Sequence, residues 1–417
     1  MSPAHPDIIV IGGGPAGMAA ALYAKQGGAS VLLLEQNEKL GKKLYITGKG
    51  RCNVTNQASH EDFLANVPRN PRFLHAALSF LSPDDLREWL RRLGCETLVE
   101  RGQRVFPVAQ KASDVIKAFS RGFASDEVRL HTQVLEITAA EDQVTGVMLA
   151  DGSHLEAGMV ILATGGVSYP VTGSRGEGHR MARNLGHGVG ELLPALVGLE
   201  AEDGWIPALK GLSLKNAALH AAAGGKTRFS EQGELLFTHT GISGPLALSL
   251  SSQLAGTNWQ AMEVWIDLKP ALGRDTLLNR LSRDIREKGR KQLSSLLPEY
   301  LPASLAKAFP QIAGLDGTKQ LSQLTGSERG QVADTLKRLP LHLTGPGPLA
   351  EAVVTRGGVS VRDINPSTMA SKRVEGLYFA GEIIDVDALT GGFNLQIAFS
   401  TGALAGASAA GMLKKKP

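Results

Sequence analysis

The chain has 417 residues, a hydrophobic fraction of 43% and a formal net charge of +4 at pH 7. This length suggests two or three domains, and this composition allows a sizeable core. No apolar run is long enough to span a bilayer, the two cysteines Cys52 and Cys95 make no disulfide framework, and no His/Cys cluster has metal-ligand spacing, so a soluble cytoplasmic protein without metal is expected.

The first apolar run, Ile8-Ile9-Val10-Ile11, reads as a buried parallel strand. Gly12-Gly13-Gly14-Pro15-Ala16-Gly17 follows at once, and residues 18–26 read as a helix closed by Gly27-Gly28. Val31-Leu32-Leu33-Leu34 is a second buried strand and ends in Glu35. Gly12, Gly14 and Gly17 thus form G-x-G-x-x-G between strand and helix, with an acid about 20 residues on, which is the dinucleotide fingerprint. Gly12 makes the tight turn, Gly14 lets a pyrophosphate approach the backbone, and Gly17 lets helix pack on strand. The helix N-terminus offers free N–H groups and partial positive charge to the phosphates. Glu35 can accept from a ribose diol. With the fingerprint directly behind it, the first apolar segment reads as a strand and not as a signal peptide.

Residues 41–56 read as a long, basic, Gly-rich loop. Residues 71–94 read as two amphipathic helices, the second capped near Ser82-Pro83-Asp84-Asp85, and 112–123 as another. Residues 134–137, 144–150 and 154–155 read as strands, with a hairpin turn at Asp151-Gly152. Residues 159–163 form a buried strand running into Thr164-Gly165-Gly166. A meander ending in Ala163-Thr164-Gly165-Gly166 is characteristic of FAD folds rather than of NAD dehydrogenases. Short strands then suggest a small barrel or sandwich, and residues 271–339 carry leucines at helical spacing. The α/β style returns near Ala352, with a last core strand over 374–382 and an apolar helix opened by Gly391-Gly392-Phe393-Asn394-Leu395-Gln396. The expected organisation is a nucleotide-binding domain in two parts, 1–193 and 343–417, split by a β-barrel over 194–269 and a helical bundle over 270–342. Lys414-Lys415-Lys416 reads as a solvated tail.

Three segments carry a resemblance. They are Thr47-Gly48-Lys49-Gly50-Arg51-Cys52-Asn53-Val54-Thr55-Asn56, Leu236-Phe237-Thr238-His239-Thr240-Gly241-Ile242-Ser243-Gly244-Pro245, and Gly376 to Asp387 followed by Gly391 to Gln396. Together, and in this order, they resemble the signatures of the BaiN/RdsA family of FAD-dependent oxidoreductases. The middle segment is the specific one, since generic FAD proteins lack it. Lys49 and Ala370 depart from the pattern, where Gly and Glu are expected. The resemblance implies an α/β, two-dinucleotide-binding-type Rossmann-like fold with an inserted β-barrel and small helical bundle. It also implies FAD as cofactor, and its members are linked to reduction of conjugated C=C bonds in steroids, to amine oxidation and to dihydrouridine formation in 23S ribosomal RNA.

On that reading the adenosine half of FAD sits over Gly12, Gly14, Ala16 and Gly17, with Glu35 on the ribose and Gln36 beside it. Lys42 and Lys43 neutralise phosphate or form a solvated basic loop. Val134 offers its backbone to adenine, or is an ordinary strand residue. Ala163, Thr164 and Gly165 line the crossover, and Gly48, Gly50, Arg51 and Asn53 the Gly-rich loop. Gly381, Glu382 and Asp385 stand at a strand's carboxyl end, where ligands of α/β sheets bind, with Asp385 on the ribityl chain. Gly392, Asn394 and Leu395 open the last helix, whose N-terminus stabilises negative charge on the reduced flavin.

Saturating a C=C bond needs a hydride at one carbon and a proton at the other. Cys52 is the first candidate acid, because the Arg51 cation beside it is expected to lower its thiol pKa; the alternative is a small thiol filling a loop. His239 is the second, against a histidine satisfying backbone groups in a turn. Cys95 reads as core. There is no second fingerprint, so NAD(P)H as reductant has no dedicated domain. Between Arg274 and Arg338 there are twelve cations and seven acids, and Arg280, Arg283, Arg286 and Arg290 recur at helical spacing. Such a stripe can track the backbone of ribosomal RNA, or simply solubilise a helix. The expected function is C=C reduction, with 23S ribosomal RNA uridine as substrate. The alternatives are a small-molecule ene-reductase or amine oxidase, and a flavin-containing RNA-binding module with little turnover.

Overall fold

The computed structural model describes residues 5–414, apart from the Lys49 side chain, so Lys415 and Lys416 of the expected tail lie outside the described residues. Two compact units divide the chain, one of Met1–Ala195 with Leu349–Pro417 and the other of Leu196–Pro348.

The first unit is built on a five-stranded parallel sheet. Its order is Leu377–Phe379, Met159–Leu162, β1 (Ile8–Ile11), β2 (Val31–Leu34) and Val128–Arg129. Every residue of β1, β2 and Met159–Leu162 is buried, as expected of a parallel sheet covered on both faces. α1 (Pro15–Gln26) starts three residues before the helix expected from sequence, because Pro15 at its first position fixes a helical φ at no hydrogen-bond cost. The C-terminal helix Phe393–Leu413 lies along α1 at backbone contact. A Cβ on Gly402 would stand 2.2 Å from the Ala16 carbonyl oxygen, and one on Gly406 2.0 Å from that of Ala20. Three small antiparallel sheets complete the unit: Val134–Ala140, Gln143–Leu149 and His154–Glu156; Thr55–Asn56, Arg104–Pro107 and Thr97–Val99; and Leu193–Ala195 with Val354–Arg356. Ser82 caps Pro83–Arg92 with a complete capping box to Asp85.

The Gly-rich segment after β2 is not a plain loop. It winds into a short 3-10 helix, Leu44–Gly50, and buries Leu44, Cys52 and Val54 in the first unit's core.

The second unit carries a seven-stranded antiparallel sheet in the order Leu339–Leu341, Glu263–Asp267, Ser213–Ala223, Lys226–Phe237, Gly241–Ser243, Leu199–Ala201 and Leu343–Pro346. Its first and last strands are chain neighbours through His342, so the sheet's two edges meet there in the manner of a barrel. Helices Arg274–Glu287, Ala303–Ile312 and Gly326–Lys337 share its hydrophobic core. Arg290 is not on the first of them. That helix ends at Glu287 and Arg290 sits in the turn beyond, so the expected stripe of four arginines is three on a helix and one off it.

Candidate dinucleotide site

At the turn between β1 and α1 the three fingerprint glycines have three different surroundings. A Cβ on Gly12, whose φ is +104°, would stand 2.5 Å from the Ala163 carbonyl oxygen, and one on Gly17 1.8 Å from that of Gly12. A Cβ on Gly14 would meet nothing within 4 Å. Two glycines are therefore forced by packing, and the third faces open space at a helix N-terminus with no side-chain cap and no acid in its first turn. That is the arrangement an anion needs.

Glu35 is buried and already engaged. One carboxylate oxygen accepts from the Gly13 N–H at 2.7 Å and the other from the Asn37 N–H at 2.8 Å. It holds the fingerprint turn in shape. Gln36 donates to the Gly173 carbonyl at 2.5 Å. Ala16 is buried, and a Cβ on Gly381 would stand 2.7 Å from its methyl, so the turn and the end of the strand Leu377–Phe379 meet. Ala163, Thr164 and Gly165 follow Met159–Leu162 directly, and Val134 is buried at the start of its strand.

The expected phosphate-neutralising lysines are paired with acids. Lys42 lies 3.1 Å from Glu38. Lys43 donates to Glu382 and to Ser168, both at 2.7 Å. The other Glu382 oxygen accepts from the Thr355 N–H at 2.8 Å and from Ser168 at 3.2 Å. Burial alone would raise the Glu382 pKa, but Lys43 and these donors outweigh it and hold the carboxyl below its ordinary value. Glu382 thus ties the Lys43 segment, the Gly166 loop and the strand Val354–Arg356 together.

Asp385 is held by a bidentate Arg69, at 2.6 and 2.8 Å, and Asp387 by a buried bidentate Arg356, at 3.0 and 2.9 Å. Asn394 accepts from the Ala388 N–H at 2.9 Å and donates to its carbonyl at 2.7 Å. These contacts brace the segment that delivers Gly391 and Gly392 to the N-terminus of the C-terminal helix, with Leu395 half-buried in its first turn. Arg69, Ser168, Thr355 and Arg356 escaped the sequence reading. Asp385 and Asp387, two acids inside an apolar run, were the signal that two cations must meet them.

The Gly-rich segment folds against that N-terminus. Gly48 and Gly50 both take positive φ, and Asn56 donates to the Gly391 carbonyl at 3.0 Å. A Cβ on Gly392, whose φ is +101°, would stand 2.3 Å from the Thr55 carbonyl oxygen and 2.8 Å from Asn53 Oδ1. That Oδ1 is buried without a hydrogen-bond partner among the described residues, as is Thr164 Oγ1. Orphaned polar atoms are rare in folded proteins and mark places that a ligand or water completes. The open face at Gly14, two uncapped helix N-termini and these orphans fit a flavin dinucleotide.

The expectation for Cys52 is corrected. The Arg51 guanidinium turns to Glu100 and Gln110 and lies 4.1 Å from the Phe106 ring centroid. Cys52 is fully buried, at a φ of +61° rare outside glycine. Burial pushes its thiol up to about 12, offset only in part by a hydrogen bond with Thr47. Neither Cys52 nor Cys95, which burial pushes to about 11, is then a thiolate between pH 7 and 9. The folded protein should resist iodoacetamide at pH 8 and react at both cysteines once unfolded. Rapid alkylation of Cys52 in the folded protein would contradict this burial. His239 belongs to the second unit, exposed in the turn before Gly241–Ser243, with no hydrogen bond among the described residues. No group of three or more potential metal ligands occurs among the described residues, and none of their helices is long and apolar enough to cross a membrane.

The family model described as HI0933-like protein Rossmann domain matches residues 6–408. The chain belongs to that family. It is 30% identical over 407 residues to a 3-dehydro-bile acid delta(4,6)-reductase of Clostridium scindens, covering 96% of this chain and 98% of that protein. It is also 30% identical over 400 residues to a ribosomal RNA dihydrouridine synthase of Escherichia coli, covering 95% and 96%. Among solved structures it is similar to a 3-ketosteroid delta1-dehydrogenase from Sterolibacterium denitrificans, with a TM-score of 0.54 at 15% identity over 98% of this chain and 100% of that one. A flavocytochrome c3 fumarate reductase gives 0.53 at 17% identity, over 98% and 79%. The fold is the FAD-binding Rossmann type, and the chain is an oxidoreductase of this family.

Proposed function

We infer that the protein holds FAD between the Gly12–Gly17 turn and the Gly392 helix N-terminus and reduces a conjugated C=C bond with hydride drawn from NAD(P)H. The bound flavin supplies hydride transfer, and this chain's residues bind and orient it. Gly14 and the N-terminus of α1 take the pyrophosphate, and Glu35 takes the ribose. Asn53 and the Gly392 N-terminus take the other end. Of the two expected proton donors, exposed His239 remains the candidate, whereas Cys52 is buried in the first unit's core and fills its loop.

The substrate we assign is uridine of 23S ribosomal RNA, in the cytoplasm. The observation that carries this choice is the excess of exposed, unpaired cations on the second unit, since the two relatives at equal identity differ in substrate. Arg286, Arg290, Lys291 and Lys307 are exposed there, and no carboxylate lies within 4.0 Å of them among the described residues. Lys and Arg surfaces of this kind supply the sequence-independent part of RNA binding. Deleting the gene should remove one dihydrouridine from 23S RNA, and the wild-type gene should restore it. Unchanged dihydrouridine in the deletion strain overturns the assignment. The second reading, a small-molecule ene-reductase, is supported by the bile acid reductase, and NAD(P)H-dependent turnover of conjugated enones with no change in RNA would establish it.

A further inference from the structure

Part of the positive charge in the second unit is neutralised pair by pair. Arg274 meets Asp334, Lys288 meets Glu299, Lys319 meets Glu328, Lys337 meets Asp267 and Arg338 meets Glu263. Of the cations left unpaired, two come together at a cleft. A cleft of about 150 Å³ opens between the start of the strand Ser213–Ala223, the residues after Glu263–Asp267, and the turn before the helix Ala303–Ile312. Lys215, Asn216 and Lys269 line it, with Tyr300 at its wall.

The backbone explains how two lysines come to face one cleft. Pairing of Ser213–Ala223 with Lys226–Phe237 slips between Leu214 and Ala217, which is a β-bulge that exposes Lys215 and Asn216. Lys269 is half-buried. The acids at the cleft's border are committed elsewhere. Asp267 pairs with Lys337 at 2.6 Å and accepts the Lys269 backbone N–H at 2.9 Å. Asp284 accepts the Tyr300 hydroxyl and lies 4.0 and 3.6 Å from Arg280 and Arg283. Among the described residues no carboxylate stands within 4.0 Å of the Lys215 or Lys269 ammonium, and neither ammonium has a hydrogen-bond partner. Burial, then the nearby Arg280 charge, draws the Lys269 ammonium below its ordinary pKa.

A half-buried ammonium without a counter-ion and beside a second cation is costly, and an anion entering the cleft offsets that cost. A cleft of about 150 Å³ has room for a tetrahedral oxyanion, and the donors that line it suit one. We propose that this cleft is an oxyanion subsite that takes one backbone phosphate of the RNA, donated to by Lys215, Lys269 and the Asn216 amide. The proposal rests on the RNA reading above.

The test uses the full-length, flavin-loaded protein, its Lys215→Gln/Lys269→Gln variant, and Lys226→Gln/Arg228→Gln as a control that removes the same charge from exposed positions outside the cleft. A 23S RNA fragment should bind the cleft variant about tenfold more weakly, and the slope of log affinity against log salt should fall by about 1, the loss of one phosphate contact. The control should lose less, and flavin content should be unchanged in both. Sodium phosphate should raise the wild-type melting temperature above that in sodium chloride of equal ionic strength, and not that of the cleft variant. Wild-type RNA affinity and slope in the cleft variant overturn the proposal. Phosphate protection lost with RNA affinity unchanged assigns the cleft to a free phosphate compound and overturns it equally. If the wild type binds no RNA, the RNA reading falls, and the phosphate arm alone then decides whether the cleft is an oxyanion subsite.

Discussion

Gly14→Val is expected to yield a folded protein without flavin. The backbone at Gly14 has φ −76° and ψ −176°, which valine adopts without strain, and its Cβ would meet no protein atom within 4 Å. The new methyl groups fill only the space left for the pyrophosphate. Losing one or two charge-assisted hydrogen bonds, at about 1.5–3 kcal/mol each, lowers flavin affinity by about tenfold to about twenty-thousandfold. The purified variant should be colourless, with a wild-type far-ultraviolet circular dichroism spectrum. Gly17→Val is the contrasting case. Its Cβ would stand 1.8 Å from the Gly12 carbonyl oxygen, so it should lose flavin and fold together. A Gly14→Val protein that retains flavin at wild-type affinity would remove the fingerprint turn from the cofactor site.

The contrast between these glycines marks what a sequence can say. β1, the turn, α1 and β2 were legible because their signals are local: an apolar run, three glycines at fixed spacing and an acid at the strand's end. Only the fold shows that Gly12 and Gly17 are required by packing, whereas Gly14 faces open space. The segment after β2 was misread as a plain loop because its burial is non-local. Leu44, Cys52 and Val54 are apolar residues in a polar, basic stretch, and what covers them lies far along the chain. The Cys52 thiol was placed on the wrong side of its usual pKa for the same reason. Adjacency to Arg51 in sequence suggested a lowered thiol pKa, whereas Arg51 turns away to Glu100 and burial governs the thiol. The pairs Lys43–Glu382 and Arg69–Asp385 join residues 339 and 316 positions apart, and no periodicity announces which cation will meet which acid. The arginine stripe was legible in type but not in extent, because the helix stops at Glu287.

The C-terminal helix tests packing with one residue type and two opposite outcomes. Gly402→Val should destabilise by about 3 kcal/mol or more, at or beyond the upper end of ordinary overpacking, because the added Cβ would meet backbone. The Ala16 carbonyl oxygen and carbon would stand 2.2 and 2.9 Å away, so no side-chain rotation relieves the clash and the two helices must separate. Ala16 is the second residue of α1, so the same displacement disturbs the N-terminus that we assign to the phosphates, and flavin affinity should fall with stability. Gly411→Ala, on the same helix, meets nothing within 4 Å. It should stabilise the protein by about 0.5–1 kcal/mol, since alanine gains helix propensity and nothing opposes it. Thermal unfolding of the two variants with and without added FAD reads both effects. The Gly402→Val protein should melt well below wild type and respond weakly to FAD, and Gly411→Ala should melt above wild type with its FAD response intact. A Gly402→Val protein as stable as wild type would show that the two helices are not held at backbone contact, and the phosphate-binding end of α1 would then owe its position to the parallel sheet alone.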